Sequence, residues 1–257
     1  MGRKISGVDL SIKKIRTVLK PLKCKLKDGL LGIWYLCVKS NRILVIGDSH
    51  ASVFDQWCMR MRFPKTNFIM GNVQGATVSG LENPNSKTQA KQFFLKMLNE
   101  KKYTCVIIQI GEVDTGFVIW YRASKYVVDV QEMYDIAVLN YKKLIEEASL
   151  HGTVIVISTP LPTIADDNLW GEVANARKEV RTSQIERTKL TLDFNQEIRE
   201  FCLNSQVTYI SLDNESLGDN GVVKNELKNE NSCDHHYSHE KYVNILAPKL
   251  KEILNHK

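Results

Sequence analysis

The chain segment that decides the fold is Arg42-Ile-Leu-Val-Ile-Gly-Asp-Ser-His50. Its four consecutive apolar residues, Ile43 to Ile46, predict a strand buried on both faces, as in a parallel sheet covered by helices. Gly47 permits a tight turn, and a helix predicted after it would present Ser49 at its N-terminus, where negative charge is stabilised. The segment therefore fits a serine nucleophile. It equally fits a plain helix cap, because Asp and Ser are both preferred there.

The composition indicates one globular domain preceded by a basic segment. The 257 residues are 43% hydrophobic and 25% charged, which is an ordinary balance with room for one large core. Residues 1–42 carry a net charge of +9, whereas the remaining 215 residues carry −3. We therefore predict a basic N-terminal extension over residues 1–40 and an α/β domain over residues 41–257.

The basic extension has two interpretations. Its apolar residues recur at helical spacing among lysines, and a basic amphipathic helix can bind an anionic membrane surface or a polyanion. Alternatively, the apolar stripe packs such a helix on the domain. No specific nucleic-acid binding is expected, because no aromatic stacking residues are interleaved with the lysines.

Cysteine usage and apolar run lengths favour a cytoplasmic protein, peripheral to a membrane if the extension binds one. The six cysteines form no CxxC pair, which is typical of reduced thiols. The longest candidate for a membrane span, Leu30 to Val38, is too short. It also comes too late, and lacks the cleavage site, for a secretory signal.

Strand-like and helical patterns alternate beyond residue 42. This alternation predicts a three-layer α/β/α sandwich with a central parallel five-stranded sheet, where sites gather at the carboxyl ends of the strands. The predicted strands are Ile43–Ile46, Asn67–Met70, Cys105–Ile110, Thr153–Ser158 and Thr208–Leu212, and the predicted helices span residues 51–61, 87–101, 126–150, 177–204 and 239–254.

A serine nucleophile needs a base, a group that orients the base, and donors for the oxyanion. The run Cys233-Asp-His-His-Tyr-Ser-His239 follows the fifth predicted strand, where an active-site loop is expected, and an acid beside histidines suits the orientation of an imidazole. The alternative is a polar loop that caps the last helix through Ser238. His50 directly follows the serine, so its ring is expected to point away from the hydroxyl.

Four sequence blocks, in the right order, resemble those of the SGNH hydrolases, also called the GDSL family of esterases, acyltransferases and carbohydrate deacetylases. Gly47-Asp-Ser49 resembles the nucleophile block, and Gly75-Ala-Thr77 the glycine block, whose backbone N–H serves the oxyanion hole. Gly111-Glu-Val-Asp114 lies where the family has Gly-x-Asn-Asp, and His236-Tyr-Ser238 resembles the histidine block. The resemblance covers nearly all of residues 42–254 and implies the flavodoxin-like SGNH hydrolase fold.

The resemblance implies a catalytic triad with Ser49 as nucleophile, His236 as base and Asp234 as the orienting acid. The family places its aspartate three residues before the histidine, and that position here is Cys233. A loop shorter by one residue would let Asp234 take this role. Two alternatives stay open: His235 is the reserve base, or the serine works with a histidine dyad.

The oxyanion hole is expected from the backbone N–H groups of Ser49 and Gly75. Val113 stands where the family has an asparagine donor, and losing one such donor typically costs about 3 kcal/mol of transition-state stabilisation. Three polar side chains are candidate replacements: Arg122, Gln74 and His50.

Further polar residues are expected to line the site: Asp48, His50, Glu112, Asp114 and Arg122. Asp114 is expected to support its loop through hydrogen bonds, and Glu112 to point at the site or at Arg122. No cofactor is expected. A metal is not expected either, because the spacing of Asp234, His235, His236 and His239 matches no standard zinc site.

Three aromatic residues near the strand ends, Trp120, Tyr121 and Trp170, fit either a stacking platform for a sugar ring or the packing of loops. The leading hypothesis is an SGNH-type serine esterase or acyltransferase that cleaves or transfers a small O-acyl ester on a small molecule or glycan. The alternative, favoured by Val113 and Cys233, is a catalytically impaired SGNH-like domain that binds a glycan or a protein partner.

Overall fold

The computed structural model describes residues 40–100, 103–166, 182–231 and 234–255. The predictions for residues 1–39, Trp170 and Cys233 lie outside the described residues, so the boundary between the basic extension and the α/β domain stays a prediction.

One five-stranded sheet forms the centre of the described part of the chain. Its strands are β1 (Asn41–Gly47), β2 (Thr66–Asn72), β3 (Cys105–Gln109), β4 (Val154–Ile157) and β5 (Thr208–Ile210). They lie in the order β2-β1-β3-β4-β5, and β1–β3, β3–β4 and β4–β5 pair in parallel. This is the doubly wound order in which the chain switches direction between β1 and β3, where α/β folds bind ligands. The predicted fold class is confirmed.

Helices cover both faces of the sheet. Within the described residues, none of them combines the length and apolar character needed to cross a membrane. The α-helices are α1 (Trp57–Arg62), α2 (Ala90–Glu100), α3 (Ile119–Tyr126), α4 (Val130–Ser149), α5 (Gln184–Asn204), α6 (Asp213–Ser216) and α7 (His239–Asn255), with 3-10 helices at Ser49–Asp55 and Asn225–Leu227 and a π-helix at Asp114–Val118.

The apolar run of β1 is buried because alternate residues face different helix layers. Leu44 and Ile46 belong to the core formed with α2, α4 and α5, whereas Ile43 and Val45 belong to the core formed with the Ser49–Asp55 helix, α1 and α7. Successive strand residues point to opposite faces. A continuous apolar run is therefore what a strand covered on both sides requires.

Two helix predictions and one loop prediction were wrong in detail. The predicted helix over residues 51–61 is divided into the 3-10 helix Ser49–Asp55 and α1. The predicted helix over residues 126–150 begins only at Val130, because Asp129 caps it and Val127 ends α3 in the left-handed conformation. Asp114, expected in a loop, is instead the first residue of the π-helix that leads into α3.

Candidate active site

The serine turn lies where β1 and β3 come close together. A side chain at Gly47 would overlap the Gln109 carbonyl oxygen of β3, so only glycine fits. The Gly47 carbonyl accepts a 2.8 Å hydrogen bond from the Val73 N–H, which holds the loop after β2 beside the turn. Ser49 follows as the first residue of its 3-10 helix and is partly exposed. The nucleophile candidate thus lies at the switch point of the sheet.

The carboxylate of Asp48 holds the serine turn in place through hydrogen bonds. Its buried carboxylate accepts hydrogen bonds from the His50 backbone N–H at 2.8 Å and from the Gly111 N–H at 3.1 Å. His50 Nδ1 lies 3.2 Å from the same carboxylate, and it must carry a proton there because a carboxylate only accepts. Asp48 therefore caps the 3-10 helix and ties it to the loop after β3. The capping role belongs to Asp48 and not to Ser49.

Asp114 holds the loop that carries Gly75. Its buried carboxylate accepts hydrogen bonds from the Val78 N–H at 2.6 Å, the Ser79 N–H at 3.0 Å and the Ser79 hydroxyl at 2.6 Å. Burial raises the pKa of Asp114 to about 6, although these hydrogen bonds and the charge of Arg122 act to lower it. Asp114 is therefore hydrogen-bonded to the loop three and four residues beyond Gly75.

The three candidate replacements for the missing oxyanion donor lie in different environments. The Arg122 guanidinium donates a 2.9 Å hydrogen bond to the Ser79 hydroxyl, so it belongs to the network around Asp114. Gln74 is exposed beside Gly75, which is itself exposed with φ +69°. His50 is buried next to Ser49. Val113 is partly exposed and has no side-chain donor.

The structure brings Asp234 and His236 together. His236 Nδ1 lies 2.6 Å from Asp234 Oδ1, which also accepts a 3.0 Å hydrogen bond from the His236 backbone N–H. The Asn229 side chain donates to the other carboxylate oxygen at 3.0 Å. Burial acts to raise the pKa of Asp234, but the hydrogen bonds and charge of His236 outweigh it and lower that pKa. The carboxylate thus stays ionised and holds the proton of His236 on Nδ1.

The loop after β4 positions the histidine loop. The Thr163 hydroxyl donates a 2.8 Å hydrogen bond to the His235 carbonyl, and the Leu161 N–H donates one of the same length to the hydroxyl of the buried Tyr237. The two bonds reach the residues on either side of His236, through the His235 carbonyl and the Tyr237 hydroxyl, so they hold the loop segment that carries His236.

His50, His235 and His236 form a cluster. The ring centroid of His50 lies 5.2 Å from that of His235 and 4.7 Å from that of His236. The centroids of His235 and His236 are 4.1 Å apart. The sequence reasoning placed His50 near the site but did not predict that its ring meets the other two. A signal was present, because Asp48-x-His50 repeats the spacing of Asp234-x-His236.

Acidic groups flank the most buried member of this cluster. His50 Nε2 lies 4.0 Å from Glu112 Oε2, so the buried Glu112 points at the histidines, one of its two expected orientations. Burial alone would lower the pKa of His50. The hydrogen bond and charge of Asp48, the charge of Glu112 and the His235 main chain outweigh it, and they raise the pKa of His50 overall.

The Nε2 atom of His236 is the one suited to accept a proton. It is shielded from solvent and has no hydrogen-bond partner among the described residues. The hydrogen bond to the Ser49 hydroxyl is therefore not formed in this structure. Such catalytic bonds often tighten only when substrate is bound.

The aromatic residues after β3 have packing partners. The Trp120 indole N–H donates a 2.8 Å hydrogen bond to the Thr115 carbonyl, and the Tyr121 ring stacks on Phe117 with centroids 5.4 Å apart. These contacts support the packing interpretation for both residues.

Solved structures share this fold. A GDSL-like lipase from Bacteroides thetaiotaomicron matches 84% of this chain and 89% of its own, with a TM-score of 0.57 and 15% identity. A carbohydrate acetylesterase from Sinorhizobium meliloti matches 83% of this chain and 100% of its own, with a TM-score of 0.54 and 13% identity. No protein-family model and no curated protein matches the sequence. The chain thus has the SGNH hydrolase fold that its four sequence blocks predicted.

Proposed function

We propose that this protein is a serine esterase or acyltransferase of the SGNH type, acting on a small O-acyl ester through an acyl-enzyme on Ser49. The observation that carries the proposal is the Asp234–His236 pair. Its 2.6 Å contact keeps a proton on His236 Nδ1 and leaves Nε2 as the atom that can accept one, in the loop that precedes α7. This is the base that a serine nucleophile needs.

In the proposed reaction, His236 Nε2 takes the proton of the Ser49 hydroxyl as Oγ attacks the ester carbonyl. The tetrahedral intermediate then collapses, the bond to the leaving alcohol breaks, and that alcohol receives the proton from His236. A water molecule, or a second hydroxyl in a transfer reaction, repeats the sequence and releases the acyl group from Ser49. Asp234 stabilises the imidazolium in both halves.

The Ser49 and Gly75 N–H groups, together with His50, stabilise the negative charge of the intermediate. The raised pKa of His50 supports a cationic imidazole beside the serine, where it offsets the charge that the family's asparagine otherwise binds. Arg122 is the weaker choice because it is held by Ser79.

The substrate class we propose is a short acyl group, such as acetyl, on a carbohydrate hydroxyl. The similarity to the structure of a carbohydrate acetylesterase supports this choice. The fold itself hosts many substrates, so it does not decide among them.

A second candidate function is the binding of a glycan without hydrolysis. Val113 favours it, because a missing oxyanion donor is a direct route to weak catalysis. A site of this kind would keep its sugar affinity in a Ser49→Ala variant and show no ester hydrolysis in the wild type.

The experiment measures hydrolysis of p-nitrophenyl acetate and of acetylated sugars by the wild type and by Ser49→Ala. We expect clear turnover by the wild type and only the uncatalysed rate for the variant. Ser52→Ala is the matched control, since Ser52 lies in the same 3-10 helix and its carbonyl, not its hydroxyl, accepts the bond from Gln56. Equal rates for the wild type and Ser49→Ala would disprove the proposal.

A further inference from the structure

Three imidazole rings, from the loop after β1 and the loop before α7, lie close together. Each of His50, His235 and His236, which we call the histidine triplet, offers one ring nitrogen, and these three atoms all lie within 4.8 Å of one another. Clustered imidazoles repel one another when protonated, whereas a cation between them uses their lone pairs. We propose that the histidine triplet is a binding site for a borderline divalent cation, with Zn²⁺ as the reference metal.

The spacing of the triplet is close to that of a metal centre. Zn²⁺ binds imidazole nitrogen at roughly 2.0–2.1 Å in tetrahedral geometry, which sets neighbouring ligand nitrogens roughly 3.3 Å apart. His235 and His236 are partly exposed, so modest rotations of these rings can close the remaining gap while the buried His50 stays fixed.

Two ligands of the triplet already have the outer partners of a metal-bound histidine. Metal-ligating histidines usually give their second ring N–H to a carboxylate, which fixes the tautomer and strengthens the ligand. His50 Nδ1 faces Asp48 at 3.2 Å, and His236 Nδ1 faces Asp234 at 2.6 Å. Nδ1 therefore carries a proton in both rings, and Nε2 is the atom left to bind a cation. Metal binding would displace any proton on Nε2, so the cationic form of His50 proposed above and its metal-bound form exclude each other.

The Nε2 atoms of His50 and His236 are also buried without a hydrogen-bond partner among the described residues. A buried polar atom normally has a partner, and its absence in the protein points to a ligand or an ion. Two such atoms, on rings whose centroids lie 4.7 Å apart and which come from opposite ends of the domain sequence, form the second observation behind the site.

The ligand set indicates which cation fits. Imidazole favours Zn²⁺, Cu²⁺ and Ni²⁺, whereas Mg²⁺ and Ca²⁺ prefer oxygen ligands. Glu112 Oε2, 4.0 Å from His50 Nε2, is placed to act as a fourth ligand. The spacing of these ligands in the sequence does not predict the site, because one ligand follows β1 and the other two precede α7.

Metal binding and ester hydrolysis would compete for one atom. His236 Nε2 cannot hold a cation and accept the Ser49 proton at the same time, so Zn²⁺ is expected to inhibit the enzyme reversibly. This regulatory consequence rests on the proposed function. The binding itself does not, and the experiment therefore measures binding directly.

The experiment titrates the full-length, chelator-treated protein with Zn²⁺, and separately with Mg²⁺, by isothermal calorimetry. We expect the wild type to bind Zn²⁺ and not Mg²⁺. His50→Ala and His235→Ala should each weaken Zn²⁺ binding more than about 100-fold, since even outer-partner mutations typically cost 10–100-fold. His239→Ala is the matched control, because it removes a neighbouring histidine outside the triplet and should leave the affinity unchanged.

Two further measurements separate the possible failures. Ser49→Ala should bind Zn²⁺ as the wild type does, so loss of hydrolysis in that variant leaves the metal site intact. Co²⁺ should give the visible absorption of a tetrahedral nitrogen-rich centre in the wild type and not in His235→Ala. Because His235 is partly exposed, this variant is expected to fold. Equal Zn²⁺ affinities in the wild type and His235→Ala, or no binding by the wild type, would overturn the site.

Discussion

Two short turns of this protein share one local geometry and differ in their surroundings. In Asp48-Ser-His50 and in Asp234-His-His236, the carboxylate accepts the backbone N–H of the histidine two residues later, at 2.8 Å and 3.0 Å. It also lies near that histidine's Nδ1, at 3.2 Å and 2.6 Å. The sequence spacing alone therefore produces a carboxylate–imidazole pair at both places.

Burial is what separates the two pairs. The side chains of His50 and Asp48 are 2% and 0% exposed, whereas those of His236 and Asp234 are 23% and 36% exposed. A buried pair is fixed by its neighbours and holds its charge close to the serine. A partly exposed pair is reachable by a substrate. The same motif thus supplies a supporting charge in one place and a candidate base in the other.

The largest expected effect is a loss of kcat when the partly exposed pair, Asp234 and His236, is changed. His236→Ala removes the proposed base and should lower kcat by about 10³-fold, within the range typical of general-base catalysis. Ester hydrolysis under steady-state conditions measures it. His239→Ala, which removes a histidine from the same region, should stay within about threefold of the wild type. If His235→Ala instead causes the large loss, His235 is the base.

The free energy of unfolding should depend more on the acid of the buried pair, Asp48, than on the acid of the partly exposed pair, Asp234. Asp48→Ala removes a buried carboxylate that satisfies two backbone N–H groups, and we expect it to lower the free energy of unfolding by about 3 kcal/mol. Asp234→Ala removes a partly exposed acid and should cost about 1 kcal/mol. Urea denaturation measures both. Equal losses would contradict the division into a supporting pair and a base pair.

The proposed charge of the buried pair can be tested by His50→Gln. This variant keeps a polar side chain but cannot become cationic, so it should lower kcat by about 10²-fold, as for one oxyanion donor, with little change in KM. Steady-state kinetics on a short-chain ester gives both constants. An unchanged kcat would assign the third oxyanion contribution elsewhere, with Gln74→Ala as the next variant.

The smallest effect concerns pH, and the two pairs should respond in opposite directions. The pKa of His50 is raised, so its contribution to stability is complete below its unfolded pKa of about 6.5 and is lost as the pH rises through the folded value. The pKa of Asp234 is lowered, so its contribution is present above an unfolded pKa of about 3.9 and is lost as the pH falls through the folded value.

Unfolding free energies measured across pH check this, with His50→Gln and Asp234→Asn each removing one of the two dependences. If the unfolding free energy of His50→Gln keeps the wild-type pH dependence above about pH 6.5, a group other than His50 is responsible for it.

The sheet could be predicted from the sequence because its signals are local. A strand that is buried on both faces needs an apolar residue at every position, so the apolar run of β1 and the alternation of strands and helices are visible in the sequence. The irregular helices after β1 and β3 could not be predicted. The first is a 3-10 helix capped by Asp48. The second is a π-helix that begins at Asp114, whose partners Val78 and Ser79 lie 36 and 35 residues away.

The site divides in the same way. Asp234 was expected to orient His236 if the loop were one residue shorter, and the structure brings the two together because a two-residue spacing suits a hydrogen bond from backbone and ring to one oxygen. The position of the His50 ring was missed. Its direction was judged from its place beside Ser49, whereas its hydrogen bond to Asp48 and its contacts with His235 and His236 decide it.

The central claim is that Ser49 is a working nucleophile served by the exposed pair. Labelling with a fluorophosphonate followed by peptide mass spectrometry tests it most directly, because the reagent bonds only to a serine whose base can take its proton. We predict one adduct, on Ser49, which is absent in Ser49→Ala, strongly slowed in His236→Ala and unaffected in Ser52→Ala. An unlabelled Ser49 in a folded protein, or equal labelling of the wild type and His236→Ala, would contradict the account.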